Sequence, residues 1–161
     1  MKDNKMKKAL TEGRIPVGHM VWEFSTRGIA RILATADLDF CVIDTEHTGA
    51  GHQDVADQMA WFAATDIAPF VRVPGPDYHW IARTMDVGAL GVMVPNVETL
   101  EQATMARNAM KYLPLGRRGV GLGGALSSYQ QVNPSEFFER SNENTTPDLP
   151  DRIHARARQQ R

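Results

Sequence analysis

Between residues 15 and 113 the sequence passes four times from a short apolar run to a longer amphipathic one, and this alternation limits the fold more than any single motif. "IPVGHMVW" (15–22), "FCVI" (40–43), "IAPFVRVPG" (67–75) and "LGVMVPNV" (90–97) read as strands. "TRGIARILATA" (26–36) reads as a helix with Ile29, Ile32 and Leu33 on one face, and "GHQDVADQMAWFAATD" (51–66) as one with Val55, Met59 and Phe62 in register. "DYHWIARTMDVGA" (77–89) stops near Gly88, and "TLEQATMARNAMKYL" (99–113) opens on Thr99 with Gln102 at capping-box spacing. Four β-α units with short connections predict a parallel sheet with right-handed crossovers. An open doubly wound sheet and part of a (β/α) barrel both fit.

The strand ends favour the barrel. In "DFCVIDTEHTG" (39–49) a run too apolar to face water breaks into Asp44, Glu46 and His47. Arg72 follows on the next strand, and Pro95 and Asn96 on the one after. Polar groups spread over consecutive strand ends are how a barrel displays chemistry. No Gly-x-Gly-x-x-Gly follows the first strand, and the glycines of "GRRGVGLGGAL" (116–126) come after a helix, so neither dinucleotide nor P-loop signature is in place. A complete barrel takes about 250 residues. The 161 here predict an incomplete (β/α)8 barrel, roughly the first four β-α units, then a loop and a short helix near 135–140.

After residue 113 the alternation fails, and no strand of any strength is predicted. The division expected is 1–145 for the barrel portion and 146–161 for a different tail, since "PDLPDRIHARARQQR" carries four arginines and almost no apolar side chains. That tail reads either as a basic arm for an acidic partner or as a disordered, foreign terminus.

Composition excludes several classes. A formal net charge of −1 with no basic stripe before the tail argues against nucleic acid, and no apolar run reaches the ~20 residues of a membrane span. The single cysteine, Cys41, lies in an apolar run and cannot form an internal disulfide; a cytoplasmic location is the default expectation.

Each candidate residue has a bland reading beside its functional one. His47 ends a strand in a loop with Gly49 and Gly51, and could take a proton if a carboxylate held its other nitrogen. Asp86 is a candidate for that carboxylate or simply a solvated acid. Arg72 cannot shed its charge, so inside "PFVRVPG" it holds either a substrate carboxylate or enolate oxygen, or an internal partner, Asp44 or Glu46. The spacing of Glu46, His47 and His52 matches no metal-binding pattern, and no Gly-x-Ser-x-Gly is present.

From about Ala9 to Asn144 the chain resembles the HpcH/HpaI aldolases, metal-dependent pyruvate aldolases that include the 2,4-dihydroxyhept-2-ene-1,7-dioate and 2-keto-3-deoxy-sugar-acid enzymes. The resemblance rests on "DFCVIDTEHT", "PFVRVPG", "IARTMDVGALGVMVPNVETLEQA" and "YLPLGRRGVG". It implies a (β/α)8 barrel that reversibly joins pyruvate, as a metal-bound enolate, to an aldehyde. It assigns His47 to acid-base chemistry, Asp86 as its partner, and Arg72 to the pyruvate oxygen. Pro95 and Asn96 would border the substrate, with Asp44 and Glu46 in support. The resemblance also implies a divalent cation (Mg2+, Mn2+ or Co2+) whose glutamate and aspartate ligands lie beyond the matching residues, and it leaves room for a homo-oligomer. The expectation is therefore a truncated member, inactive alone. A carboxylate-binding or assembly module derived from an aldolase is the competing reading, and an open-sheet enzyme with a phosphate loop is a third.

Overall fold

The computed structural model describes residues 1–148. A first helix, α1 (Lys5–Thr11), precedes strand β1 (Gly18–Val21) and helix α2 (Ile29–Ala34). There follow β2 (Phe40–Asp44), α3 (His52–Phe62), β3 (Ala68–Arg72), α4 (Tyr78–Asp86), β4 (Gly91–Met93) and α5 (Leu100–Met110). A 3-10 turn at Ala125–Ser127 leads to α6 (Pro134–Asn144) and β5 (Thr146–Asp148). All four strand pairings are parallel, in the order β1-β2-β3-β4-β5. Strands added one after another, none skipped, are the arrangement of a barrel; a doubly wound sheet reverses its order at a switch point.

Period-two alternation sorts the strand side chains onto two faces. Cys41, Ile43, Val71 and Val92 pack against Val55, Met59, Phe62, Ile81, Met85, Ala106 and Met110 of the helical layer. Phe40, Val42, Ala68, Phe70 and Met93 form a second cluster on the other face, where α1 contributes Met6. Asp44 and Arg72 keep the parity of Val42 and Phe70, so they belong to this inner face at its carboxyl end.

The helices start where their caps are. Thr99 accepts from the Gln102 N–H at 3.1 Å while the Gln102 side chain accepts from Thr99 N–H at 3.1 Å, the capping box expected from the spacing. Asp77 caps α4 through the Trp80 N–H, and Gly88, at φ +114°, ends it.

Two elements depart from the sequence reading. Residues 146–148 form β5, paired to β4 with Gly91 opposite Thr146, which corrects the expectation that no strand follows residue 113. Gly91 permits that pairing, because a Cβ there would overlap the Phe70 ring and the Thr146 carbonyl. The boundary drawn after residue 145 thus falls between α6 and β5, and α6 runs for eleven residues where a shorter piece was expected. The arginine-rich stretch beyond Asp148 lies outside the described residues. Helix α1 was not anticipated either; Asn4 caps it, and its Ala9 is fully buried.

The helix α1 region ties the two ends of the described chain together. Asn4 donates its backbone N–H to Asn144 Oδ1 at 3.0 Å and its Nδ2 to the Asn144 carbonyl at 2.9 Å, and Lys2 donates to the Phe62 and Thr65 carbonyls that end α3. Lys111 does the same for α6, donating to the carbonyls of Asn142 and Thr145 and to the Thr145 hydroxyl. Burial pushes both lysines down to about 8. No helix among the described residues is long and apolar enough to cross a membrane.

Candidate functional site

Asp44 and Arg72 are register partners on adjacent parallel strands, so the sheet itself places them side by side. Arg72 donates Nε to Asp44 Oδ1 at 2.8 Å and Nη2 to Oδ2 at 2.5 Å, a two-pronged pair. The Asp44 side chain is fully buried, and Arg72 retains 17% of its side-chain exposure. Burial alone would raise the Asp44 carboxyl, but the Arg72 fork and the N–H groups of Glu46 and His47 outweigh it and hold the group below the ordinary carboxylate range. The same contact raises Arg72. The internal-partner reading of Arg72 is thus realised with both candidate acids, since Glu46 Oε2 also lies 3.3 Å from Nε. Nη1 makes no hydrogen bond among the described residues.

The turn after β2 grows from the same carboxylate. Asp44 Oδ1 accepts from Glu46 N–H at 2.9 Å and from His47 N–H at 3.4 Å, while the Thr48 hydroxyl donates to the Asp44 carbonyl at 2.6 Å. This folds Glu46 back toward Arg72. His47 projects outward, its side chain 63% exposed, with Nε2 3.7 Å from Glu46 Oε2. Thr45, which no sequence signal singled out, anchors the turn to β3 by donating its hydroxyl to the Arg72 carbonyl at 2.7 Å.

Beyond β4, Pro95 is buried and Asn96 is exposed in the left-handed region at φ 55°, where asparagine is tolerated. Both lie at the carboxyl edge, and neither side chain hydrogen-bonds to Arg72 or Asp44. A cavity of about 220 Å³ adjoins the β2 turn, lined in part by Trp22, Glu23, Thr48 and Asp54. A larger groove of about 730 Å³ lies elsewhere, between α4 and α5, with Tyr78, Leu100, Met105 and Arg117 in its walls.

The structure does not bring Asp86 to His47 within one chain. Helix α4 runs antiparallel to the strands, so its last residue, Asp86, sits at the amino edge of the sheet, a strand's length from the β2 turn. There it accepts from Arg118 Nη2 at 2.6 Å and Nε at 3.2 Å. The Arg118 side chain is fully buried and its guanidinium lies 4.7 Å over the Tyr112 ring, whereas Asp86 is 42% exposed. Arg118 escaped the sequence reading because nothing local distinguishes it from Arg117, which is exposed.

Among the described residues no three His, Cys, Asp or Glu side chains come together as metal ligands. Asp44 and Glu46 turn their oxygens to Arg72 and to backbone N–H groups instead. The described residues therefore do not fit a divalent cation by themselves.

The profile of the HpcH/HpaI aldolase/citrate lyase family matches residues 20–147. A hydroxypyruvate/pyruvate aldolase of Roseobacter denitrificans is 37% identical over 131 residues, 81% of this chain and 51% of the relative. A 2-keto-3-deoxy-L-rhamnonate aldolase of Salmonella gallinarum is 36% identical over 126 residues, 78% and 46% of the two chains. The crystal structure of an HpcH/HpaI aldolase from Desulfitobacterium hafniense superimposes with a TM-score of 0.85 at 30% identity, over 89% of this chain and 55% of the other. The chain spans about half the length of the curated relatives it matches.

Proposed function

Because this chain belongs to the HpcH/HpaI aldolase/citrate lyase family, we propose that it carries the keto-acid-holding part of a pyruvate aldolase site, for reversible cleavage of a 2-keto-4-hydroxy acid to pyruvate and an aldehyde. The observation that supports this most directly is Arg72, held rigidly by Asp44 at the carboxyl edge with Nη1 free. In cleavage, a proton leaves the C4 hydroxyl, the C3–C4 bond breaks, and its electron pair passes to the C2 carbonyl oxygen. The aldehyde departs, and the pyruvate enolate takes a proton at C3. Positive charge fixed where that oxygen becomes anionic lowers the barrier without reorganisation. Arg72 is the residue suited to that task, and to gripping the neighbouring carboxylate. His47 would carry the proton, with Glu46 beside it, and Pro95 and Asn96 would border the keto acid.

The lone chain is proposed to turn over poorly, because His47 is exposed and Asp86 is engaged by Arg118 rather than by the imidazole. That same displacement of Asp86 favours a second reading, in which the chain binds a keto acid or assembles with other chains without cleaving anything. A cytoplasmic setting, small-molecule keto acid and aldehyde partners, and self-association belong to this proposal too. Pyruvate release from a 4-hydroxy-2-oxo acid, assayed with Mg2+ or Mn2+, separates the two readings when calorimetric titration with pyruvate runs beside it. Release supports the lyase; pyruvate binding that Arg72→Ala abolishes, without release, supports the binding module. Absence of both in the wild-type chain overturns the two together.

A further inference from the structure

The turn carrying Glu46 and His47 is anchored unevenly. Its first half is bound to the sheet by Asp44, Thr45 and Thr48. Its second half, residues 49–51, contains two glycines, and a Cβ at Gly49 would meet open space. The side-chain hydrogen bonds there are local: Ala50 N–H donates to the Thr48 hydroxyl at 3.2 Å, and Gly51 N–H to Asp54 at 2.8 Å. What joins this end of the turn to the neighbouring helix is aromatic. His52, the first residue of α3, lies flat on Trp80 of α4, with ring centroids 3.8 Å apart and planes 24° from parallel.

Trp80 is a firm platform. Its backbone N–H is fixed by the Asp77 cap at 2.9 Å, and its side chain packs against the main core. Charge around the stack favours an uncharged imidazole: burial lowers His52 below its usual range, Arg83 lowers it further, and Asp77 only partly offsets them.

We propose that the His52–Trp80 stack is the latch that holds the 49–51 stretch in place, and through it the end of the turn that carries Glu46 and His47. His52 is thus a positioning residue that acts through its neighbours. The role given to Glu46 and His47 rests on the keto-acid reading above; the latch itself can be read from backbone exchange alone.

Amide hydrogen exchange of the full chain tests it, with wild type, His52→Ala, His52→Phe and Trp80→Leu compared. Loss of either ring is expected to speed exchange at residues 46–51 by about three- to tenfold while α5 keeps its protection, and His52→Phe is expected to restore the wild-type rate. Unchanged exchange at 46–51 in His52→Ala overturns the latch. So does a His52→Phe variant no better protected than His52→Ala, or a loosening that spreads equally into α5. Should His52→Ala not fold, His52→Gln removes the ring while keeping a polar helix start, and is judged by the same rates. Pyruvate titration of the wild-type chain distinguishes the two claims: failure to bind removes the keto-acid reading and leaves the exchange result standing.

Discussion

Arg72 and Asp44 face each other as register partners across β3 and β2, and their two-pronged contact is made entirely by the arginine's Nε and Nη2. A fork anchored in this way has fixed direction, and its third nitrogen makes no hydrogen bond among the described residues.

Removing the guanidinium leaves a buried carboxylate without its partner. Arg72→Ala is expected to destabilise the chain by about 3–5 kcal/mol, measured by urea unfolding. Arg72→Lys keeps the charge but not the fork. It should recover part of that stability while pyruvate binding, followed by calorimetry, stays weakened at least tenfold, a loss of about 1.4 kcal/mol.

Acid should act on the same pair. The folded Asp44 carboxyl lies below its unfolded value, so its contribution is fully present above the unfolded carboxylate range near pH ~4 and is lost as pH falls through the folded value. Stability measured from about pH 6 downward should therefore fall, and Asp44→Asn should flatten that slope while lowering stability at neutral pH.

Asp86 gives a test of placement. Asp86→Asn takes the counter-ion from a fully buried Arg118, with an expected cost of about 2 kcal/mol, because the acid itself is partly solvated. In one monomeric chain, the ring chemical shifts of His47 at fixed pH should not move. A shift in His47 on this substitution would mean that the two residues communicate after all.

The fifth strand depends on a missing side chain. Gly91→Ala forces a Cβ into the Phe70 ring and the Thr146 carbonyl, and overpacking of this kind costs about 1–3 kcal/mol or more. Loss of amide protection should concentrate at β4 and β5 and spare β1.

The β-α alternation, the capping box at Thr99 and Gln102, and the clustering of polar residues where apolar strands end were all legible in the sequence, because each is a relation between residues a few positions apart. For Arg72 the sequence left two readings open, a substrate carboxylate or enolate oxygen and an internal acid, and the register of β2 with β3 decided for Asp44. Tertiary structure decided the rest. "TPD" carries no strand signal and becomes β5 only because β4 supplies its hydrogen-bonding partner; α1, with three lysines in its seven residues, is held through its Asn4 cap by Asn144 some 140 residues away. Arg118 and Arg117 are neighbours in a glycine-rich loop, yet only the packing of α4 against α5 buries one of them beside Asp86. The direction of α4 moves that acid to the edge opposite His47, a long-range consequence of chain path that no local spacing encodes.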